Sequence, residues 1–229
     1  MSSVTHGIGF VLSVVGASLV YSRVTREEAC SLSIADIPSQ INESQASACG
    51  TQQVQVAAGV YSLSLMALYL TSCIYHSSFQ VYSIKVVLHV VDQCCIYLLI
   101  AGTYTPLLSI TLHSDSFYSV GMLGVMWLCC LLGVSMSSLY FGPARKYCNL
   151  TLFLIMGWSG AICLPAMASK MSPRGLHWIA AGGVFYTAGV PFFVLDTDPT
   201  TSMLHVIWHL FVLAGSAAHW WAIFAHILP

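Results

Sequence analysis

Apolar residues along this chain come in long unbroken blocks rather than in stripes. Seven blocks can be marked, at about 4 to 22, 53 to 76, 86 to 109, 117 to 140, 147 to 168, 175 to 195 and 203 to 227. A helix rises about 1.5 Å per residue, so a block of about 20 residues crosses the roughly 30 Å of hydrocarbon in a bilayer. The pattern predicts an all-α integral membrane protein, a single bundle of seven transmembrane helices spanning 1 to 229. Pro106, Pro165 and Pro191 fall inside blocks. They are read as kinks within continuous spans, because a membrane bundle can re-satisfy the carbonyls a proline frees. One stretch reads as a linker, the polar run at about 23 to 53, which becomes the first loop.

Composition agrees with a bilayer environment. Of 229 residues, 57% are hydrophobic and 7% charged, and the mean hydropathy is +0.80, well outside the balance of a soluble domain. The formal net charge of −1 comes without any basic run, which excludes nucleic acid as a partner and leaves membrane lipids.

An odd span count puts the amino terminus on the same face as the loops after spans two, four and six. Lys85, Arg145 and Lys146 lie on that face, against Arg23, Arg26, Lys170 and Arg174 on the other, so the positive-inside rule does not choose. The first loop carries the sequon Asn42-Glu43-Ser44 and two cysteines, Cys30 and Cys49, able to pair in an oxidising compartment. Both place that loop outside and the amino terminus in the cytosol; plasma membrane and endomembrane are not distinguished. A second sequon, Asn149-Leu150-Thr151, then faces the cytosol and stays unmodified. No Lys or Arg precedes the first block, so it is read as a helix rather than a signal peptide. The neighbours Cys94-Cys95 and Cys129-Cys130 lack zinc-ribbon spacing and are read as reduced packing residues.

Ionisable groups inside spans are costly, so each needs a partner or a task. Asp92 is the one carboxylate well inside a span. His76 closes the second span, and His205 and His209 open the seventh. Residues four apart share a helix face, so His205 and His209 can present two imidazole nitrogens to one ion. The end of span two, the start of span three and the start of span seven lie at one membrane face, so His76, Asp92, His205 and His209 can converge there. His89, three residues before Asp92, is either a further ligand or an outer partner of the site. His219 is ten residues past His209, about 15 Å along the axis, too far for the same ion. His6, His113, His177 and His226 sit near span ends and are read as interfacial, and Trp178, Trp220 and Trp221 as aromatic belt.

These residues resemble the hemolysin III family of the progestin and adipoQ receptor superfamily, which also contains the adiponectin receptors. The resemblance rests on Thr5-His6-Gly7-Ile8-Gly9, Ser72 to His76, Asp92 with Ile96 to Pro106, Gly182-Gly183 with Tyr186, and His205 to His219. It implies seven helices, a cytosolic amino terminus, and Zn2+ bound by His76, His205 and His209 with a water held by Asp92. Two features depart from the pattern: Gln93 stands where many relatives have histidine, and the first loop is longer than in bacterial members.

Three protein ligands plus a water is the open arrangement that zinc hydrolases use. Zinc lowers the pKa of its water towards about 7, and Asp92 is placed to take the proton and pass it to a leaving amine. Ser72, one turn before His76, can donate to an oxyanion or a water, or bond its own helix. The superfamily is similar to alkaline ceramidases, so the enzyme expected is a zinc-dependent amide hydrolase acting on a ceramide-like lipid. The alternative is a membrane receptor or regulator whose zinc is structural. A pore ranks last, since beyond Asp92 few polar groups are available to line one.

Overall fold

The computed structural model describes residues 2–35, 41–78, 82–196 and 203–229, with side chains described except those of 27–49, 82 and 83. Its helices are α1 (Ser2–Ala35), α2 (Ile41–Ser77), α3 (Tyr82–Ser109), α4 (Leu123–Leu139), α5 (Arg145–Trp158), α6 (Gly160–Ala168), α7 (Pro173–Leu195) and α8 (Met203–His226), with a π-helical turn, Phe117–Met122, leading into α4. Among the described residues seven segments are long and apolar enough to cross a membrane, α5 and α6 together making the fifth. Large apolar side chains such as Val120, Leu131, Ile155 and Ile162 stand outward, a surface that lipid accepts and water does not. This is an integral, multi-pass membrane protein.

The first loop expected at 23 to 53 is largely helical in backbone, since α1 continues to Ala35 and α2 begins at Ile41. No glycine or proline falls between 23 and 35 or between 41 and 49, so nothing in those runs breaks a helix. The side chains of Cys30, Asn42 and Cys49 lie outside the described residues.

Pro106 and Pro191 sit within continuous helices, α3 and α7. The fifth span does break, at Ser159, six residues before Pro165. There the Tyr104 hydroxyl of α3 lies 2.9 Å from the Met156 carbonyl and 3.0 Å from that of Gly157. A side chain competing for carbonyls in the helical ladder is a recognised cause of such interruptions. The sixth span starts cleanly: Ser172 accepts from the Gly175 amide at 3.2 Å, and Pro173 follows at the first helical position, where its missing N–H costs nothing.

Two arrangements carry the site. Helix α1 packs along α2 and α8, and α7 along α8, so the first turns of α1 and α8 meet the last turn of α2 at the face bearing the amino terminus. In the middle of the bundle, Asn149 accepts from Tyr97 and Ser137, both at 3.0 Å, and donates to Gln93 at 3.4 Å. This buried network ties α3, α4 and α5 together and fixes the residue after Asp92. It also seals Asn149, 2% exposed, inside the bundle.

Gly9 is where α1 admits a neighbour, since a Cβ there would meet the Tyr69 ring at 2.5 Å. A side chain must push that ring away, at a typical cost of about 1–3 kcal/mol. Gly59 on α2 faces open space. Gly9→Val should therefore lower the thermal unfolding midpoint in detergent by several degrees, while Gly59→Ala leaves it unchanged or raises it, because alanine is the better helix former. Equal midpoints for the two variants would show that the α1–α2 approach is not close.

Candidate metal centre

His76 comes from the last turn of α2, and His205 and His209 from the first two turns of α8. All three are buried, and one ligand atom from each falls within 4.8 Å of the others. The closest pair is His205 Nε2 and His76 Nε2, 3.1 Å apart. Among the described residues these three histidines form a group able to hold a metal ion.

Outer partners decide which nitrogen each ring on α8 turns inward. Asp196 Oδ2 lies 2.8 Å from His205 Nδ1, so Nδ1 carries the proton and Nε2 keeps its lone pair. Thr5 gives its hydroxyl proton to the Ser2 carbonyl at 2.8 Å, which leaves its oxygen to accept from His209 Nδ1 at 3.3 Å. The Ser2 backbone also bonds His209. Both rings therefore offer Nε2 lone pairs to the interior. These tautomers are assigned from the hydrogen-bond network. Two imidazole lone pairs cannot face each other at 3.1 Å without a proton or a cation between them, so His205 and His76 are arranged to share one.

Lys146 holds the outer carboxylate in place. Its ammonium donates to the carbonyls of Val194 at 3.2 Å and Asp196 at 2.9 Å, which closes the carboxyl end of α7 in the manner of a basic C-terminal cap. Asp196 is thus pinned where the helix stops and turned onto His205.

Asp92 does not enter the histidine group. Its carboxylate lies beside Ser72, one turn before His76 on α2, and Asp92 Oδ1 is buried with no partner. Of the sequence-predicted residues, His76, His205 and His209 come together, while Asp92 stays outside that group with Ser72 beside it. His89 is not in the group of three; its Nδ1 lies 2.9 Å from Arg145 Nη2 and its ring beside Tyr75.

Two residues go beyond the sequence reading. Asp196 was not singled out, since it sits in the polar run Asp196-Thr197-Asp198 with nothing to mark which carboxylate turns inward. His6, read as interfacial, is buried at 4% exposure, with its ring stacked on His209 at 3.6 Å. Of the other end-of-span histidines, His113 and His177 are exposed and His226 bonds Ser172 at 3.1 Å. His219 lies 3.0 Å from the Ile179 carbonyl, over Gly182, in the contact between α7 and α8. Trp178 and Trp221 face outward, whereas Trp220 is turned against Phe224 and Gly16.

A seven-span helical membrane protein with three buried histidines at one face is the class defined by fold and site. Residues 1–220 match the family model described as Haemolysin-III related. The chain is 30% identical over 228 residues to Hemolysin-3 of Bacillus cereus, covering 100% of this chain and 91% of that one. It is 29% identical over 217 residues to the Hemolysin-3 homolog of Bacillus subtilis (strain 168), covering 95% and 88%. It is also 30% identical over 177 residues to the human monocyte to macrophage differentiation factor, covering 76% and 71%. The chain belongs to the haemolysin-III related family.

Outer-partner carboxylates typically raise the metal affinity of the ring they orient by about 10–100-fold. Asp196→Ala should weaken metal binding by a factor in that range in competition with a chelator, while Asp198→Ala changes nothing. Unchanged affinity in Asp196→Ala would show that the His205 contact plays no part in holding an ion.

Proposed function

We propose that the protein binds one Zn2+ through His76, His205 and His209 and hydrolyses the amide bond of a ceramide-like lipid. The observation that carries this reading is the inward turn of Nε2 on both His205 and His209, with His76 Nε2 opposite. The residues fit the ion. Tetrahedral zinc with Zn–N of 2.0–2.1 Å holds its nitrogens about 3.3 Å apart, close to the 3.1 Å between His205 and His76. Three imidazoles with no further member among the described residues match the open shell of hydrolytic zinc rather than the four-ligand shell of structural sites. Bound there, zinc would supply Lewis acidity toward a carbonyl and make a water acidic near neutral pH.

The chain's own groups supply the rest. Asp92 Oδ1, buried and unmatched, takes the proton of an attacking water and returns it to the departing amine. Ser72, beside the carboxylate, donates to an oxyanion or a water in this reading. Asp196 and Thr5 keep the α8 imidazoles in their metal-binding tautomers. A site set among helix ends near the membrane surface suits a lipid with a polar head at that depth. The amino terminus, and with it the site, faces the cytosol in this reading.

A second reading, a receptor or regulator with structural zinc, is favoured by one observation. The three histidines and their outer partners come from α1, α2, α7 and α8, so an ion there would fix four helices relative to one another.

Elemental analysis of protein purified in detergent should find about one zinc per chain, absent from the His76→Ala, His205→Ala, His209→Ala triple variant. Asp92→Ala should keep its zinc and lose release of fatty acid from a ceramide, by about 100-fold or more. Wild type that carries zinc and releases no fatty acid would leave the structural-zinc reading. Freshly purified, folded wild type without metal would end both.

A further inference from the structure

We propose that His6 is a second residue, besides Asp92, that hydrogen-bonds the solvent molecule filling the fourth position of the zinc centre, and so belongs to the site as a positioning residue from α1. The proposal rests on the zinc reading above.

His6 is 4% exposed, and both of its ring nitrogens are buried without a hydrogen-bond partner. The α8 rings beside it differ, because His205 and His209 have Nδ1 matched by Asp196 and Thr5. A buried polar group left unmatched is costly, so an imidazole with two such atoms calls for a partner that the protein does not supply. A neutral imidazole carries one N–H and one lone pair, and can serve a solvent oxygen either way.

Geometry separates this role from that of a fourth ligand. The His6 and His209 rings are stacked, centroids 3.6 Å apart and planes 15° from parallel. Lone pairs lie in the ring plane, so two nearly parallel rings one stacking distance apart cannot both aim at the same ion. His6 is also absent from the group whose ligand atoms fall together. What a stacked ring can reach is a neighbour of the ion lying above the plane of His209, and in a tetrahedral shell the ligands other than His209 lie off that ring's axis.

The ring is held for this purpose. Tyr69 stands edge-on to His6, centroids 5.2 Å apart and planes at 86°, and Gly9 leaves the room Tyr69 needs. Tyr69 and His209 wall His6 on two sides, and both of its nitrogens stay buried. A histidine retained only for packing would be matched by phenylalanine, which keeps the ring and the stack and loses only the nitrogens.

That difference is the test. The wild type, His6→Phe and His6→Gln are loaded with cobalt(II) in detergent, the metal per chain is measured, and azide, an anion that replaces solvent on cobalt, is titrated by visible absorption. All three should hold about one cobalt per chain. Azide should bind His6→Phe about tenfold more weakly than wild type, with most of the loss recovered in His6→Gln, which restores a donor without the ring. Equal azide affinity in wild type and His6→Phe overturns the proposal and leaves the zinc reading standing. Loss of cobalt from His6→Phe also overturns it, since His6 would then support the ion itself. Wild type that takes up no cobalt fails the zinc reading and the proposal with it. If the phenylalanine variant does not fold, His6→Leu against His6→Gln makes the same comparison.

Discussion

An imidazole has two nitrogens, and the interior of a helical membrane bundle offers water to neither. A neutral ring needs both an acceptor and a donor, and a charged one needs more. Where several histidines are buried together, an outer nitrogen is best met by a protein partner, and the inner nitrogens are left to one another or to a guest. That constraint organises the amino-terminal face of this protein. Asp196 serves His205, Thr5 and Ser2 serve His209, and His205 and His76 meet nitrogen to nitrogen. The carboxyl end of α7, the first turn of α1 and the last turn of α2 are where they are because the rings on α8 must be satisfied.

The same demand appears elsewhere in the bundle. Asn149, Tyr97, Ser137 and Gln93 close a network with one another, and Tyr104 reaches the carbonyls around the break in the fifth span. Gln93 stands next to Asp92. Its amide is taken up by Asn149, so here that position serves the contact between α3 and α5 rather than the site. Among the described residues, several buried Ser and Thr hydroxyls bond their own helix instead, while large apolar side chains stand on the outer surface.

The fold was legible because bilayer thickness dictates block length, so the expected 117 to 140 and 175 to 195 meet the observed spans Phe117–Leu139 and Pro173–Leu195 almost residue for residue. The histidine group was legible for a similar reason: helical periodicity sets His205 beside His209, and span parity brings His76 to the same face. What could not be read depends on tertiary placement. His6 lies near a span end, where an interfacial ring and a buried one have the same sequence signature, and only the packing of α1 against α8 distinguishes them. Asp196 looks like any loop carboxylate until Lys146 is seen to cap the helix before it. The break at Ser159 has a local signal in Gly157 and the Ser159-Gly160 pair, while the tyrosine that bonds there lies 55 residues earlier in the chain.

Helices α1 and α8 are paired at both ends: Thr5 and His6 meet His209 at one, and at the other the Arg23 guanidinium reaches the Pro229 carbonyl and lies over Phe224. In order of synthesis these are the first and last of the described helices. A ribosome adds about 5 to 20 residues each second, so α1 waits on the order of ten seconds or more in the membrane before the helix that satisfies its end of the cluster has been made. Until then the histidine cluster has no complete form. Its assembly therefore marks the completion of the bundle, and a chain arrested before α8 would present an unmatched α1 face to whatever machinery inspects nascent membrane proteins.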